Sequence, residues 1–451
     1  MYHEVVRNAL LAGKARPKTM KVVLKKPLIS EIQKEKRSSS MKKVLVVLIV
    51  SLLATSMLFA GGASEEKGAA QFKIGVATIH EGETWEIQKK YFNEEVGPAL
   101  NMQFMFSEKL NDANGLVDFM DQAYAAGCVG IINFVTSNDA VAQGSRKAEE
   151  WGVWFVTQNS ALNSNVAKIT HNLGHCGASA TGMGRAYGEA INDLVSDGKE
   201  HSIFIFSGAA VGGAIGQGAA SHYYTVEGIL NAMKEKYNLK YELGIDEIIN
   251  NQNPGEVATG NPNVKIYIYP GTNVSSAITA AQTQLQNGPY DIFAAVFSYS
   301  SFSNAIADVE KSTGKNIKVL GTVSIEKQTS TGFSSMDSFG DSVLSAAVLN
   351  PLNIQNGMCA VILYNALTGH AEAMKANGHT ILFKVEPWFC KDAKTYENIS
   401  KLDNSHETYV LNGEDLKALC VENNPAITYK DIEAKLVELS NIDAIIEKRL
   451  K

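Results

Sequence analysis

Cysteine is scarce in this sequence of 451 residues, and its spacing argues against two common kinds of site. The five cysteines stand at positions 128, 176, 359, 390 and 420, an odd number with no C-x-x-C pair. This spacing argues against a disulfide framework and against a zinc site. A bridge between Cys390 and Cys420 stays chemically allowed in an oxidising compartment. Cys128 opens an apolar run, where we expect it to be a small buried hydrophobic residue.

The sequence also lacks the short motifs of several enzyme classes. It contains no Gly-x-Ser-x-Gly elbow, no His-Glu-x-x-His pair and no Walker loop. A glycine-rich stretch, GAAVGGAIGQGAA at 208–220, could indicate a dinucleotide-binding loop, but Ser221 stands where the third glycine should be. We therefore predict no catalytic residue, no metal and no cofactor, and a nucleotide-dependent oxidoreductase is only a distant alternative.

Long apolar runs are absent except for one. Residues 44–59 carry no charge, follow Lys42 and Lys43, and precede the small residues 60–63. This order is typical of a secretory signal peptide, and the run is shorter than the roughly 20 residues that a membrane span needs. A retained anchor helix is the alternative. We predict a signal peptide at 41–63 and an exported, soluble product, which is not a lipoprotein because the first cysteine is Cys128.

The first forty residues are the most basic part of the chain, with ten Lys and Arg against three acids. One interpretation is a basic arm that binds nucleic acid or an anionic membrane surface. The other is upstream or disordered sequence, with translation starting at Met41. We favour the second interpretation, because a nucleic-acid-binding arm is not expected directly before an export signal.

Positive charge is scarce in the remainder. Removing residues 1–63 takes away twelve of the 41 Lys and Arg and three of the 47 acids, which leaves a net charge of −15. Such a chain repels phosphate backbones, so we predict no nucleic-acid partner. The remaining length is sufficient for two or three domains.

Short apolar strands alternate with amphipathic helices from residue 72 onward. Four such units fill 72–159, the pattern restarts after 172, and a second series runs to 324. A strand at 342–350, a helix at 351–369, a strand at 380–389 and a polar helical tail follow. Repeated βα units predict parallel sheets with helices on both faces. The predicted fold class is α/β, with two doubly wound parallel-sheet lobes joined by a multi-strand hinge.

Three stretches of the sequence resemble one known family. They are FKIGVATIHEGETWEIQKKYF (72–92), YDIFAAVFSYSSFSNAIADVEKSTGKNIKVLGTVS (290–324) and SVLSAAVLNPLNIQNGMCAVILYNALTG (342–369). They resemble the type I periplasmic binding proteins, in particular the ribose- and galactose-binding proteins that serve sugar ABC transporters. The resemblance covers about 72–387. It implies an N-terminal lobe of 72–172 and 323–380, and a C-terminal lobe of 173–322 and 381–451 that includes the tail.

The sequence departs from this family at its charged sugar contacts. Ser300 and Ser301 stand in the places of the usual Asn-Asp pair, and Tyr223 is nearest to the place of a usual Arg. Thr322 or Val323 replaces the Asp of the crossover motif. The charges that hold sugar hydroxyls in relatives are therefore largely missing.

Candidate ligand-binding residues follow the strands, because ligands of open α/β sheets lie beyond the carboxyl ends of the strands. They are mostly amides, hydroxyls and aromatic groups, which suit the polar rim and apolar face of a sugar. The candidates are Thr78, His80, Glu83, Trp85, Asn133, Thr136, Ser137, Asn138, Gln158, Asn159, Ser207, Tyr223, Tyr299, Ser300 and Thr322.

The sequence thus predicts a monomeric periplasmic solute-binding protein that captures a carbohydrate or similar small polar solute. Hinge closure around the ligand would present it to the permease of an ABC importer. One alternative is the ligand-binding partner of a chemoreceptor or membrane sensor kinase. A nucleoside or an amino acid is the alternative ligand.

Overall fold

The computed structural model describes residues 71–135, 137–158, 166–209, 220–250, 255–270, 274–298 and 301–450. The predicted signal peptide at 41–63 and the segment 1–40 lie outside these residues. None of the helices in the described part is long and apolar enough to cross a membrane.

The described residues form thirteen strands in two sheets. In chain order the strands are β1 (Phe72–Ala77), β2 (Met102–Phe106), β3 (Gly130–Asn133), β4 (Trp154–Gln158), β5 (Asn172–Ala178), β6 (Ile203–Ala209), β7 (Gly255–Val257), β8 (Val264–Pro270), β9 (Ile292–Ser298), β10 (Lys318–Val323), β11 (Ala346–Leu349), β12 (Leu382–Val385) and β13 (Trp388–Cys390).

The helices alternate with these strands as the sequence predicts. They are α1 (Gly82–Tyr91), α2 (Gly97–Leu100), α3 (Ala113–Ala125), α4 (Asn138–Trp151), α5 (Ala180–Leu194), α6 (Ala220–Tyr237), α7 (Ile245–Asn250), α8 (Val274–Asn287), α9 (Ser303–Thr313), α10 (Lys327–Ser334), α11 (Leu352–Leu367), α12 (Ala393–Leu402), α13 (Gly413–Ala418), α14 (Tyr429–Ser440) and α15 (Ile442–Arg449). A π-helical turn at Phe92–Val96 joins α1 to α2, and a 3₁₀ turn spans Ala371–Met374.

The first sheet is parallel throughout, with strand order β12-β5-β4-β3-β1-β2. The second has the order β13-β11-β10-β9-β6-β8-β7 and is parallel except at its two edge strands, β7 and β13. We call each sheet with the helices that pack on it a lobe. The α/β prediction of two parallel-sheet lobes is confirmed.

The sheet of the first lobe buries both of its faces, which explains its nearly continuous apolar strands. Ile131 of β3 packs with α3 and α4, while the next residue, Ile132, packs in the cluster that contains α11. Gly130 is required at the close approach of α11, because a Cβ there would lie 2.8 Å from a methyl carbon of Leu363.

The chain crosses between the lobes at three places along the strands. It leaves the first lobe after β5, returns after β11 into α11, which packs on β3, β4 and β5, and leaves again between β12 and β13. The strands therefore place the crossings differently from the predicted boundaries. Strand β11 pairs with β10 in the second sheet, not in the first lobe, and β12 pairs with β5 in the first sheet, not in the second lobe.

The predicted single strand at 380–389 is wrong, because the structure divides it into β12 and β13. Glu386 and Pro387 separate them, and the two strands belong to different sheets. Proline has no N–H to continue a ladder, so the strand ends where the chain crosses.

The tail after β13 packs on both lobes, whereas the prediction assigned it to the C-terminal lobe. Helix α12 lies against α10 and β13 of the second lobe, and α13 lies against α2 and α11 of the first. Helix α14 then packs on β12, and α15 returns to α12. The tail therefore crosses between the two lobes twice more.

All five cysteines are buried and unpaired in the structure. Cys128 has 3% of its surface exposed, as expected for a small hydrophobic residue. The bridge between Cys390 and Cys420 that the sequence left open is not formed.

Candidate functional site

Two hydrogen bonds join the carboxyl ends of β1 and β10, which belong to different lobes. The backbone N–H of Lys327 donates to Glu83 Oε2 at 2.8 Å, and Thr84 Oγ1 donates to Glu326 Oε2 at 3.2 Å. Glu83 therefore caps the N-terminus of α10 from the opposite lobe, where a carboxylate interacts favourably with the helix dipole. The segments that follow the carboxyl ends of β1 and β10 therefore meet at this point.

The tail supports the second-lobe side of this contact. Tyr396 of α12 accepts a hydrogen bond from the backbone N–H of Glu326 at 2.9 Å and donates to the Glu326 carbonyl at 2.9 Å. Burial raises the pKa of the Glu326 carboxyl, and the nearby Glu83 raises it further. The segment between β10 and α10 is thus held by residues of both lobes.

Aromatic side chains line the carboxyl end of the first sheet. Trp85 has edge-to-face contacts with Phe106 at 5.6 Å and with Phe134 at 5.9 Å between ring centroids. Only 6% of Trp85 is exposed, so most of the indole belongs to the core. His80 contacts Phe134 in the same way at 5.7 Å.

His80 is neutral at neutral pH. Burial lowers the pKa of its imidazole to about 4, and the charge of Lys109 contributes in the same direction. A neutral imidazole presents one N–H donor and one nitrogen acceptor, which suits a hydroxyl group.

Gln158 offers an unused hydrogen-bond donor at the carboxyl end of β4. Its side chain is 6% exposed, and its Nε2 has no hydrogen-bond partner among the described residues. The hydroxyl of Thr157 also lacks a partner among them, but it points to the opposite face because side chains alternate along a strand. A buried amide without a partner costs about 1–3 kcal/mol, so Gln158 is well suited to bind a polar ligand.

Three predicted site residues use their side chains to hold the loops in place. Thr78 Oγ1 accepts from the N–H of His80, and Asn133 both donates to and accepts from the backbone of Val135. Ser137 is the N-cap of α4, and its Oγ accepts from the N–H of Ala140 at 3.0 Å. These groups shape the edge of the sheet, and their described hydrogen bonds are internal to it.

The remaining described candidates are distributed over both lobes. Asn138 is half-buried in the first turn of α4. Ser207 is buried on β6, and Thr322 on β10 bonds the Tyr187 hydroxyl at 2.7 Å. Tyr187 donates to the carbonyl of Ala295 at 2.6 Å, so Thr322 is the donor to Tyr187.

Several predicted site residues lie outside the described residues. They are Thr136, Asn159, Tyr299 and Ser300, together with the side chain of Tyr223 on α6. The structure therefore joins Thr78, Asn133 and Gln158 at one edge, since β1, β3 and β4 are neighbours, and places Ser207 and Thr322 at the other sheet.

Sequence reasoning missed four residues of this region. Phe106 and Phe134 complete the aromatic wall beside Trp85, Ser107 Oγ accepts from the N–H of Thr78, and Glu326 makes the contact between lobes. Phe106, Ser107 and Phe134 also end or follow strands, so the same positional rule could have found them. In the described part of the chain, no group of three or more His, Cys, Asp or Glu could hold a metal ion.

Solved structures with the same fold include several solute-binding proteins. A carbohydrate transporter from Acidothermus cellulolyticus in complex with myo-inositol has a TM-score of 0.50 and 15% identity, over 74% of this chain and 98% of that chain. An ABC transporter solute-binding protein from Bacillus halodurans with bound myo-inositol has a TM-score of 0.51 and 13% identity, over 74% and 99%. An ABC transporter periplasmic solute-binding protein from Actinobacillus succinogenes with bound D-allose has a TM-score of 0.51 and 14% identity, over 73% and 100%.

The sequence matches no protein-family model, and it matches no curated protein. At these identities the likeness to solved structures shows the fold: an α/β chain with two lobes, as in type I periplasmic binding proteins.

Proposed function

We propose that this chain is an exported solute-binding protein that captures a carbohydrate or similar small polar solute between its lobes and delivers it to an ABC importer. The observation that carries the proposal is the pair of hydrogen bonds at the start of α10, where Glu83 accepts from the N–H of Lys327 and Thr84 donates to Glu326. They bring together the carboxyl edges of two parallel sheets, which is where open α/β folds bind ligands.

The chemistry of the first-lobe edge supports a neutral polar ligand. Gln158 supplies a free amide donor, and His80 supplies a neutral imidazole. Phe106 is only partly buried, and together with the exposed edge of Trp85 it supplies aromatic surface, which can cover the apolar face of a sugar ring. Solute-binding proteins with this fold are bound to myo-inositol and D-allose, which have the same combination of hydroxyl rim and apolar face.

The mechanism in this proposal is hinge closure. A ligand that contacts both lobes favours the closed state by the free energy of those contacts, and the importer's permease binds that state. The chain acts as a monomer outside the cytoplasmic membrane and catalyses no reaction. A chemoreceptor that recognises the same closed state is a further partner consistent with this mechanism.

A thermal-shift screen tests this function on the chain without residues 1–63. The panel contains myo-inositol, D-allose, other sugars and polyols, nucleosides and amino acids, each at millimolar concentration. A ligand that binds only the folded state raises the melting temperature by mass action, and we expect this for at least one sugar or polyol. Stabilisation by a nucleoside or amino acid alone would contradict the carbohydrate assignment, and no stabilisation by any compound would contradict solute capture.

A further inference from the structure

Two of the five buried cysteines lie side by side in the core of the first lobe. Cys176 is on β5 and Cys359 is on α11, both have 0% of their surface exposed, and both belong to the same hydrophobic cluster. Helix α11 packs on β5, and Cys359 lies near enough to Cys176 to raise the pKa of its thiol.

The fold explains why these two residues meet. Cys176 pairs in register with Gln158 of β4, so it occupies the sheet face on which α11 packs. Leu363 lies over Gly130 of β3 on the same face, and Cys359 precedes Leu363 by four residues, about one helical turn. The sheet and the helix therefore fix both thiols independently of each other.

The chain segment between the two cysteines contains a large part of the second lobe. Strands β6 to β11 all lie between residues 176 and 359. Cys176 precedes the first crossing to the second lobe, and Cys359 follows the return crossing. A bond between them would tie the outgoing and returning segments together on the first-lobe side of the hinge.

We propose that Cys176 and Cys359 form a disulfide when the chain folds in an oxidising compartment. The inference rests on the proposed export of the protein for its setting in the cell, but not on ligand binding. The oxidant is a disulfide donor. One cysteine thiolate attacks the donor disulfide and releases one thiol, and the second cysteine then displaces the other thiol from the mixed disulfide. One protein S–S bond forms, and two protons and two electrons leave with the donor's thiols.

The bond forms before the core is complete. Burial raises the pKa of the Cys176 thiol well above its usual value, and the neighbouring Cys359 raises it further. Since the thiolate is the reacting form, Cys176 is a poor nucleophile in the native protein, and both side chains are buried away from any disulfide donor. The reduced native protein should therefore resist oxidation, whereas a refolding chain should oxidise.

The other three cysteines provide internal controls. The Cys420 thiol donates to the carbonyl of Leu416 at 3.2 Å, and Cys390 lies on β13 of the second sheet. Cys128 precedes β3 in a different hydrophobic cluster from Cys176 and Cys359. Like Cys176 and Cys359, these three are free thiols in the structure, so oxidation is what separates the pair from the controls.

Refolding in a redox buffer tests the pair directly. The chain without residues 1–63 is unfolded with reductant, refolded with reduced and oxidised glutathione, then denatured and alkylated for peptide mass spectrometry. We expect two of the five cysteines to escape alkylation and one cross-linked peptide to contain Cys176 and Cys359. We also expect reductant to lower the melting temperature of the oxidised protein. Five alkylated cysteines in a natively folded sample, or a cross-link between another pair, would overturn the proposal.

Single variants complete the test. Cys359→Ala should leave all four remaining cysteines open to alkylation, whereas Cys128→Ala should keep the cross-linked peptide. If Cys359→Ala does not fold, the cross-linked peptide of the wild-type protein still decides the matter. The sugar screen on the same oxidised sample distinguishes the two proposals. A cross-link without sugar binding would contradict the proposed function alone. Sugar binding with five free thiols would contradict the disulfide alone.

Discussion

Gln158 and Thr157 are adjacent on β4, yet we expect only one of them to contact a ligand. Within the part of the chain that the structure describes, both carry a buried polar atom without a hydrogen-bond partner, and they face opposite sides of the sheet. Gln158→Leu removes the donor that we assign to the solute, so sugar affinity should fall by about 1–3 kcal/mol, roughly five- to 150-fold. Calorimetric titration with the sugar found in the screen measures this loss.

Thr157→Val is the matched control, because it removes a buried hydroxyl from the other face. Its affinity should equal that of the unmodified protein. Equal affinity losses in both variants would contradict the placement of the ligand at Gln158.

Asp403 gives the protein a specific pH dependence. Burial raises the pKa of its carboxyl to about 8, whereas an unfolded aspartate titrates near 3.9. Between these values the folded state binds the proton that the unfolded state has released. The free energy of unfolding should therefore fall as pH rises through this window, by up to about 1.4 kcal/mol per pH unit from this group.

Asp403→Asn keeps a similar shape and cannot titrate. Urea unfolding at pH 5, 6, 7 and 8 should show the unmodified protein losing stability relative to the variant as pH rises. Parallel pH profiles for the two proteins would contradict the buried, protonated state of Asp403.

Glu83 of α1, in the first lobe, stabilises the N-terminus of α10, which belongs to the second lobe. Glu83→Ala removes this cap and should weaken the contact between lobes by about 0.3–1 kcal/mol, the usual effect of a carboxylate at a helix N-terminus. Sugar affinity should then fall about two- to fivefold, because closure becomes less favourable. Calorimetry measures the affinity.

Glu86→Ala is the control on the same helix, since Glu86 pairs with Lys89 of α1 itself. Its affinity should be unchanged. A loss of the same size in Glu86→Ala would indicate an effect on α1 alone.

Elements with a clear apolar period could be predicted from the sequence. The strands predicted at 72–78, 265–271 and 317–324 differ by about one residue from β1, β8 and β10. Strand β5 was missed because NLGHCGA carries two glycines, an asparagine and a histidine that weaken the strand signal. Strand β11 was assigned to the wrong lobe because AAVL is buried on both faces in either sheet.

The candidate site could be predicted only by position along the strands. Their positions at the ends of neighbouring strands correctly place Thr78, Asn133 and Gln158 at one edge of the first sheet. It cannot show that Asn133 bonds its own loop while the Gln158 amide stays free, since that depends on side-chain geometry. The contact of Glu83 with α10 joins residues 244 positions apart and has no local signal.

For the whole molecule, the tail is the least expected feature. Tyr91 of α1 donates to the Leu411 carbonyl at 2.8 Å, and Trp388 of β13 donates to the Leu439 carbonyl at 2.9 Å. The tail is therefore an integral part of both lobes.

Leu416→Ala tests this role of the tail. Leu416 is fully buried on α13 beside Gly357 of α11, so truncation should reduce the free energy of unfolding by about 2–5 kcal/mol. Val437→Ala on α14 is the control, because Val437 is 69% exposed and its change should stay within about 0.5 kcal/mol. Chemical denaturation measures both, and similar small losses would show that the tail adds little to the fold.

The measurement that tests solute capture between the lobes most directly is small-angle X-ray scattering with and without the sugar found in the screen. If the solute closes the lobes, the radius of gyration should fall on saturation, and by less in Gln158→Leu at the same sugar concentration. An unchanged radius of gyration with the sugar bound, or no sugar that binds at all, would contradict the proposed mechanism.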